Sequence, residues 1–153
     1  MADQLVDFIR SRKEKVSGPD INWEAKRDAW VSSVENLYRQ IQEMLGDSIA
    51  SNDVTAHTHQ IEVTEDFIGS YFIPALELRV GRERVEFRPK GVTIIGAEGR
   101  VDIRGERDSV TLLKDVVNAE SGWSVITQRV PQLKTVQFDR DSLTYVLERV
   151  MLP

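Results

Sequence analysis

Residues 80–108 read VGRERVEFRPKGVTIIGAEGRVDIRGERD, and this stretch decides the fold. Apolar residues recur at every second position around Val85 and Phe87 and again around Val101 and Ile103, with Gly81, Gly91, Gly96, Gly99 and Gly105 between the runs. Side chains on a strand point alternately to its two faces, so a period of two with glycine punctuation predicts short antiparallel strands joined by turns. In one strand Arg84, Glu86 and Arg88 oppose Val85 and Phe87, and Arg82 and Lys90 extend the charged row into the turns. In another, Arg100, Asp102 and Arg104 oppose Val101 and Ile103, and just upstream Glu77 and Arg79 oppose Leu76, Leu78 and Val80. Three strands thus each carry one apolar and one charged face.

Further strand candidates lie at residues 60–64, 71–80, 92–95, 110–114 and 123–129, with a short one at 136–138. No helical pattern long enough for a βαβ crossover separates them, which favours antiparallel neighbours. Helical spacing appears instead at the two ends. Leu5, Phe8, Ile9 and Val16 form a first amphipathic pattern that stops at Gly18-Pro19. A second opens after Asp20 or Asn22 and runs through Trp23, Trp30, Val34, Leu37, Ile41 and Met44 or Leu45 to Gly46. It is about 35 Å long at 1.5 Å per residue. Its stripe fits packing on the chain's own sheet, and the alternative is a seam that pairs two chains as a homodimer. Residues 46–59 are polar and read as a loop or linker. After Asp139 or Asp141, Leu143, Val146, Leu147, Val150 and Met151 predict a C-terminal amphipathic helix. The expected fold is one α+β domain over residues 1–153. It comprises an N-terminal helical pair (1–46), an antiparallel sheet of six or seven strands (60–138) and a C-terminal helix (140–152), with helices on one sheet face.

Composition narrows the function classes. A chain of 153 residues with 41% hydrophobic and 29% charged residues is long enough, and apolar enough, to bury a core without staples. It has no cysteine, which excludes disulfides, thiol catalysis and cysteine-ligated zinc, and makes a reducing cytoplasm the default compartment. No apolar run reaches the roughly 20 residues of a membrane span, and Met-Ala-Asp-Gln lacks the basic start of a secretory signal, so the expectation is a soluble protein. A net charge of −5 repels a phosphate backbone on average, so nucleic acid would need a segregated basic patch.

The motifs that carry chemistry are thin. The glycines at 91, 96 and 99 match neither a phosphate-loop nor a dinucleotide fingerprint, because they lead into a strand pattern and not a helix N-terminus. His57-Thr-His59 has a spacing at which a strand offers two imidazoles to one metal, with Asp53, Glu62 or Asp66 as third ligands, but in a polar stretch the pair reads as exposed loop histidines. Asp102 could be the first acid of a metal-dependent nuclease site, yet no Glu-x-Lys follows it. Gly-x-Ser-x-Gly is absent, and no carboxylate pair is singled out among 25 acids. Trp123 and the Tyr71-Phe-Ile73 run before Pro74 read as core and rim packing, with an interface anchor as the functional alternative.

What remains is the arginine row. Arg82, Arg84, Arg88, Arg100 and Arg104 are the candidate partner-binding residues, because guanidinium groups bind carboxylates and phosphates bidentately. From Leu76 to Asp108 there are eight basic residues (Arg79, Arg82, Arg84, Arg88, Lys90, Arg100, Arg104, Arg107) and seven acidic ones (Glu77, Glu83, Glu86, Glu98, Asp102, Glu106, Asp108). Such near balance suits a solvated face laced with cross-strand ion pairs, unless Glu83 and Glu98 fall outside it. The expected function is a non-enzymatic protein-interaction module, an adaptor, chaperone or immunity-type inhibitor, with no cofactor and another protein as partner. A phosphate or nucleic-acid binder using the same arginines is the alternative, and a metal-dependent hydrolase at Asp102 or the histidine pair is the third reading.

Overall fold

The computed structural model of the chain describes residues 4–9, 22–92, 99–114 and 122–153. Residues 4–9 are helical (α1) and lie on the surface, with Leu5, Phe8 and Ile9 exposed. Two longer helices and one short helix follow in chain order: α2 (Trp23–Met44), α3 (Gly46–Ala50) and, after the sheet, α4 (Arg140–Val150). Asn22 caps α2 by accepting a hydrogen bond from the Ala25 amide at 3.0 Å, one of the orphan donors every helix start must satisfy. At α4, Asp139 and Ser142 form a reciprocal capping box.

Between the helices run β1 (Val54–Glu65), β2 (Gly69–Val80), β3 (Glu83–Gly91), β4 (Gly99–Arg104), β5 (Ser109–Lys114), β6 (Trp123–Gln128) and β7 (Lys134–Gln137). They form one seven-stranded sheet in sequence order, every neighbouring pair antiparallel. The α+β architecture read from the alternation is thus the observed one. Two boundaries differ. The polar stretch 46–59 is not a loop: it forms α3 and the first half of β1, so the sheet begins at Val54 and not at residue 60. Its polarity reflects an edge strand whose residues 57–60 are all exposed, so no alternation marks it. Gly18-Pro19, the strand expected over residues 93–95, Gly96 and Glu98 lie outside the described residues.

The inner face is set by parity. Val85, Phe87, Val101, Ile103, Leu112 and Val125 have no exposed surface and lie beneath the helices. From α2 come Trp30, Val34, Leu37, Tyr38 and Ile41, all buried within the chain, so the seam of the second helix packs on its own sheet. Tyr38 meets Phe87 edge-on at 6.5 Å, and its hydroxyl donates to the backbone carbonyls of Pro74 and Phe87 at 2.8 and 3.2 Å. From α4 come Leu143, Val146 and Val150. Trp30 lies 5.8 Å from Trp123, whose burial makes it core and not an exposed anchor.

The β1–β2 hairpin departs from simple alternation. β2 pairs with β3 only from Leu76 to Val80, and beyond Leu76 the two-stranded ribbon continues alone. There the buried parity changes: Leu76 and Leu78 are buried near the sheet, whereas Tyr71 and Ile73 are buried farther out. The β1–β2 register stays unbroken from Val54↔Val80 to Glu65↔Gly69, so both strands rotate together, as expected of a ribbon released from its third strand. At its tip Phe67 takes a left-handed backbone (φ 71°), uncommon for a bulky residue, and stacks on Trp23 at 5.3 Å, tying the hairpin to the start of α2.

Gly99 is a close-approach glycine. A Cβ there would run into the six-membered ring of Trp30, a fully enclosed side chain with little room to move. Gly99→Ala is therefore expected to destabilise by about 1–3 kcal/mol through overpacking, and Leu37→Ala by about 2–5 kcal/mol through a cavity. Urea unfolding followed by tryptophan fluorescence measures both; a Gly99→Ala midpoint equal to wild type would mean that the indole does not abut this backbone.

Candidate functional site

With the helices on one face, strands β2, β3 and β4 present another face that no described helix covers, and register arranges its side chains in rows. Across neighbouring strands the row runs His57↔Glu77↔Glu86↔Arg104, with Arg79↔Arg84 and Arg88↔Asp102 beside it. Two of these direct pairs are like-charged, Glu77 with Glu86 and Arg79 with Arg84, which is unfavourable taken alone. The diagonals compensate. Arg84 Nε and Arg79 Nε both reach Glu77 Oε1, the latter at 3.3 Å, and His57 Nε2 lies 2.7 Å from Oε2. The arms of these residues cover the carboxylate so fully that Glu77 is only 8% exposed on an otherwise open face.

That burial would raise the pKa of Glu77, but Arg84 first, then Arg79 and His57, outweigh it and hold the carboxyl below its ordinary range. Glu77 is thus the anionic hub that gathers two guanidinium groups and the His57 imidazole. Elsewhere on the face Arg100 grips Asp102 through Nε at 2.7 Å and a terminal nitrogen at 3.2 Å, and Arg88 lies 3.6 Å from Glu86.

Of the five arginines named from sequence, Arg84, Arg88, Arg100 and Arg104 come together on this face; Arg82 does not, because it sits exposed in the β2–β3 turn beyond the paired register. Glu83 falls off the face as well: it accepts a hydrogen bond from the Leu152 amide at 2.8 Å, on the side of the C-terminal segment. The described outward residues of β2, β3 and β4 are therefore six cations (Arg79, Arg84, Arg88, Lys90, Arg100, Arg104) and three anions (Glu77, Glu86, Asp102). Among the described outward residues of these strands cations thus outnumber anions two to one, on a chain of net charge −5.

His57 and His59 are not loop residues; both lie on β1. The His57 imidazole is engaged by Glu77, and among the described residues no group of three His, Asp or Glu side chains is placed to hold a metal ion. Asp102 is occupied by Arg100 and by the Thr111 hydroxyl, which donates to Oδ1 at 3.3 Å.

Sequence reasoning missed a second gathering of polar groups, Asp108, Thr111, Arg129, Tyr145 and Arg149, which line one cavity with Arg100 and Asp102. No spacing signals it, since its members come from β4, β5 and α4, the turn before β5 and the residue after β6. No family model matches the chain, and neither curated proteins nor solved structures give a significant match.

The depressed pKa of Glu77 has a definite sign. Its contribution to stability is fully present above the ordinary glutamate value of 4.5 and is lost as pH falls below that value through the folded-state pKa. Urea unfolding of wild type and Glu77→Gln at neutral pH and at about pH 3.5 should show a smaller acid loss in the variant; equal acid losses would remove Glu77 from its role as hub.

Proposed function

We propose that the protein is a non-enzymatic docking module whose uncovered sheet face receives an acidic surface of another protein. The observation that carries this reading is the charge segregation: among the described residues, six outward cations against three anions on β2, β3 and β4 of an otherwise acidic chain. A cleft or platform of one sign speeds encounter with a partner of the opposite sign and fixes its register. The acids on the face serve the same end. Glu77 and Asp102 hold Arg84, Arg79 and Arg100 in set directions, so part of the side-chain entropy of binding is lost in advance.

A protein partner suits this face better than nucleic acid does. Binding to single strands relies on aromatic platforms for the bases, and the outward positions of β2, β3 and β4 between Glu77 and Arg104 carry no aromatic residue among those described. The net charge of −5 also opposes approach of a polyanion from a distance. An acidic protein patch meets the face locally, where its charge excess is felt within a Debye length of about 8 Å.

Affinity capture from the native host with the wild-type chain is expected to recover a stoichiometric protein whose affinity falls about tenfold or more for Arg84→Glu/Arg88→Glu and falls with added salt. Arg39→Glu on α2, away from the face, should leave capture unchanged. Recovery of the same partner at equal strength by the doubly reversed variant overturns the reading, and retention on a heparin column at physiological salt would favour nucleic acid instead.

A further inference from the structure

β5 and β6 start as neighbours and then part. Their ladder consists of Leu112↔Val125, Leu113↔Ser124 and Lys114↔Trp123, although β5 begins at Ser109 and β6 continues to Gln128. Neither strand frays where the ladder ends. Ser109, Val110 and Thr111 remain paired with β4, and Ile126 and Gln128 remain paired with β7. The β6–β7 register shifts between Ile126 and Gln128, and an irregularity of this kind bends a strand away from its other neighbour.

The strands thereby enclose a slot of about 340 Å³, walled by Ser109, Val110 and Thr111 on one side and residues 126–129 on the other. That is within the range of small-ligand pockets. Three guanidinium groups line it, each from a different part of the fold: Arg100 from β4, Arg129 from the end of β6 and Arg149 from α4.

Their hydrogen bonds leave donors to spare. A guanidinium has five N–H groups. Arg100 uses Nε and one terminal nitrogen on Asp102, and Arg149 uses Nε on Asp108 at 3.0 Å. Arg129 reaches across the slot to donate to Thr111 Oγ1 at 2.8 Å, and Thr111 in turn donates to Asp102. Among the described residues Arg129 has no carboxylate partner; the hydroxyl relay holds it in place while leaving its charge uncompensated. Tyr145 and Thr127 add hydroxyl groups to the lining. Three arginines against Asp102 and Asp108 leave the slot with one net positive charge.

We propose that this slot binds the phosphoryl group of a small molecule. A phosphoryl group turns three oxygens outward, one for each guanidinium, and its charge suits the uncompensated Arg129; a carboxylate turns out only two. Asp102, Thr111 and Asp108 tether the three guanidinium groups at the slot, so less side-chain freedom is lost when a phosphoryl group enters it. The site shares Arg100 and Asp102 with the docking face, whereas Arg129 and Arg149 belong to the slot alone, so variants at those two test it separately.

The test is a titration of the isotope-labelled full chain with inorganic phosphate, followed by amide chemical shifts, with sodium acetate and sodium chloride at matched ionic strength alongside. Saturable, phosphate-specific shifts at Thr111, Thr127 and Arg129 are expected, with affinity about tenfold lower in Arg129→Ala and in Arg149→Ala. Arg129→Lys should recover part of the loss, and Arg84→Ala, on the docking face, should bind phosphate as wild type does. Shifts that never saturate, affinity unchanged in Arg129→Ala, or acetate binding as tight as phosphate would each overturn the proposal. The spectra of the variants report their folding in the same experiment.

Discussion

Trp30 holds the molecule together at one point. Its indole rests against the backbone of Gly99 in β4 and lies 5.8 Å from the ring of Trp123 in β6, so one side chain joins α2 to two strands distant from it in sequence. Its burial is nearly complete, at 2% exposure, and two large aromatic rings are taken out of water in contact with each other. With this contact in place α2 is committed to the inner face, and Leu37, Tyr38 and Ile41 follow along the same stripe.

Because α2 and α4 share that face, the sheet is two-sided in chemistry, and the charged residues that alternate with the core on β2, β3 and β4 lie on the opposite face, from Glu77 to Arg104. A cationic surface of this density would repel itself if its members were independent. Glu77 prevents that by drawing Arg79, Arg84 and His57 onto one carboxylate, and Asp102 does the same for Arg100. The sheet therefore presents charges whose directions are set by neighbours as well as by rotamer preference. The same principle recurs where β5 and β6 separate: Thr111 links Arg129 to Asp102 and so to Arg100, joining one arginine of the open face to one of the cleft.

Much of this was legible in residue order. Val85, Phe87, Val101 and Ile103 alternate with charged residues, and all four are buried, because a strand covered on one side must alternate. Capping chemistry marked the helix starts to within two residues, as Asp20 or Asn22 and as Asp139 or Asp141, and the structure selects Asn22 and Asp139. The start of the sheet was not legible. β1 is an edge strand exposed on both sides over residues 57–60, so the hydrophobic signal that identifies strands is missing there, and the histidine pair was assigned to a loop. The parity change in the hairpin was hidden for a different reason: it arises where β2 leaves β3, a fact of pairing with no local signature. The charge count along the chain misjudged the open face in the same way, since Glu83 and Arg82 are adjacent in sequence to that face but turned away from it or beyond it.

Sequence alone determined the α+β class, the long second and C-terminal helices and the two-faced character of the central strands, because these depend on interactions within a few residues and on periodicity. Tertiary structure decided which charges meet, which arginines remain without a carboxylate, and where the sheet opens between β5 and β6. Those outcomes depend on register and strand divergence, which are set by contacts between residues far apart in the chain, and no local pattern of residues encodes them.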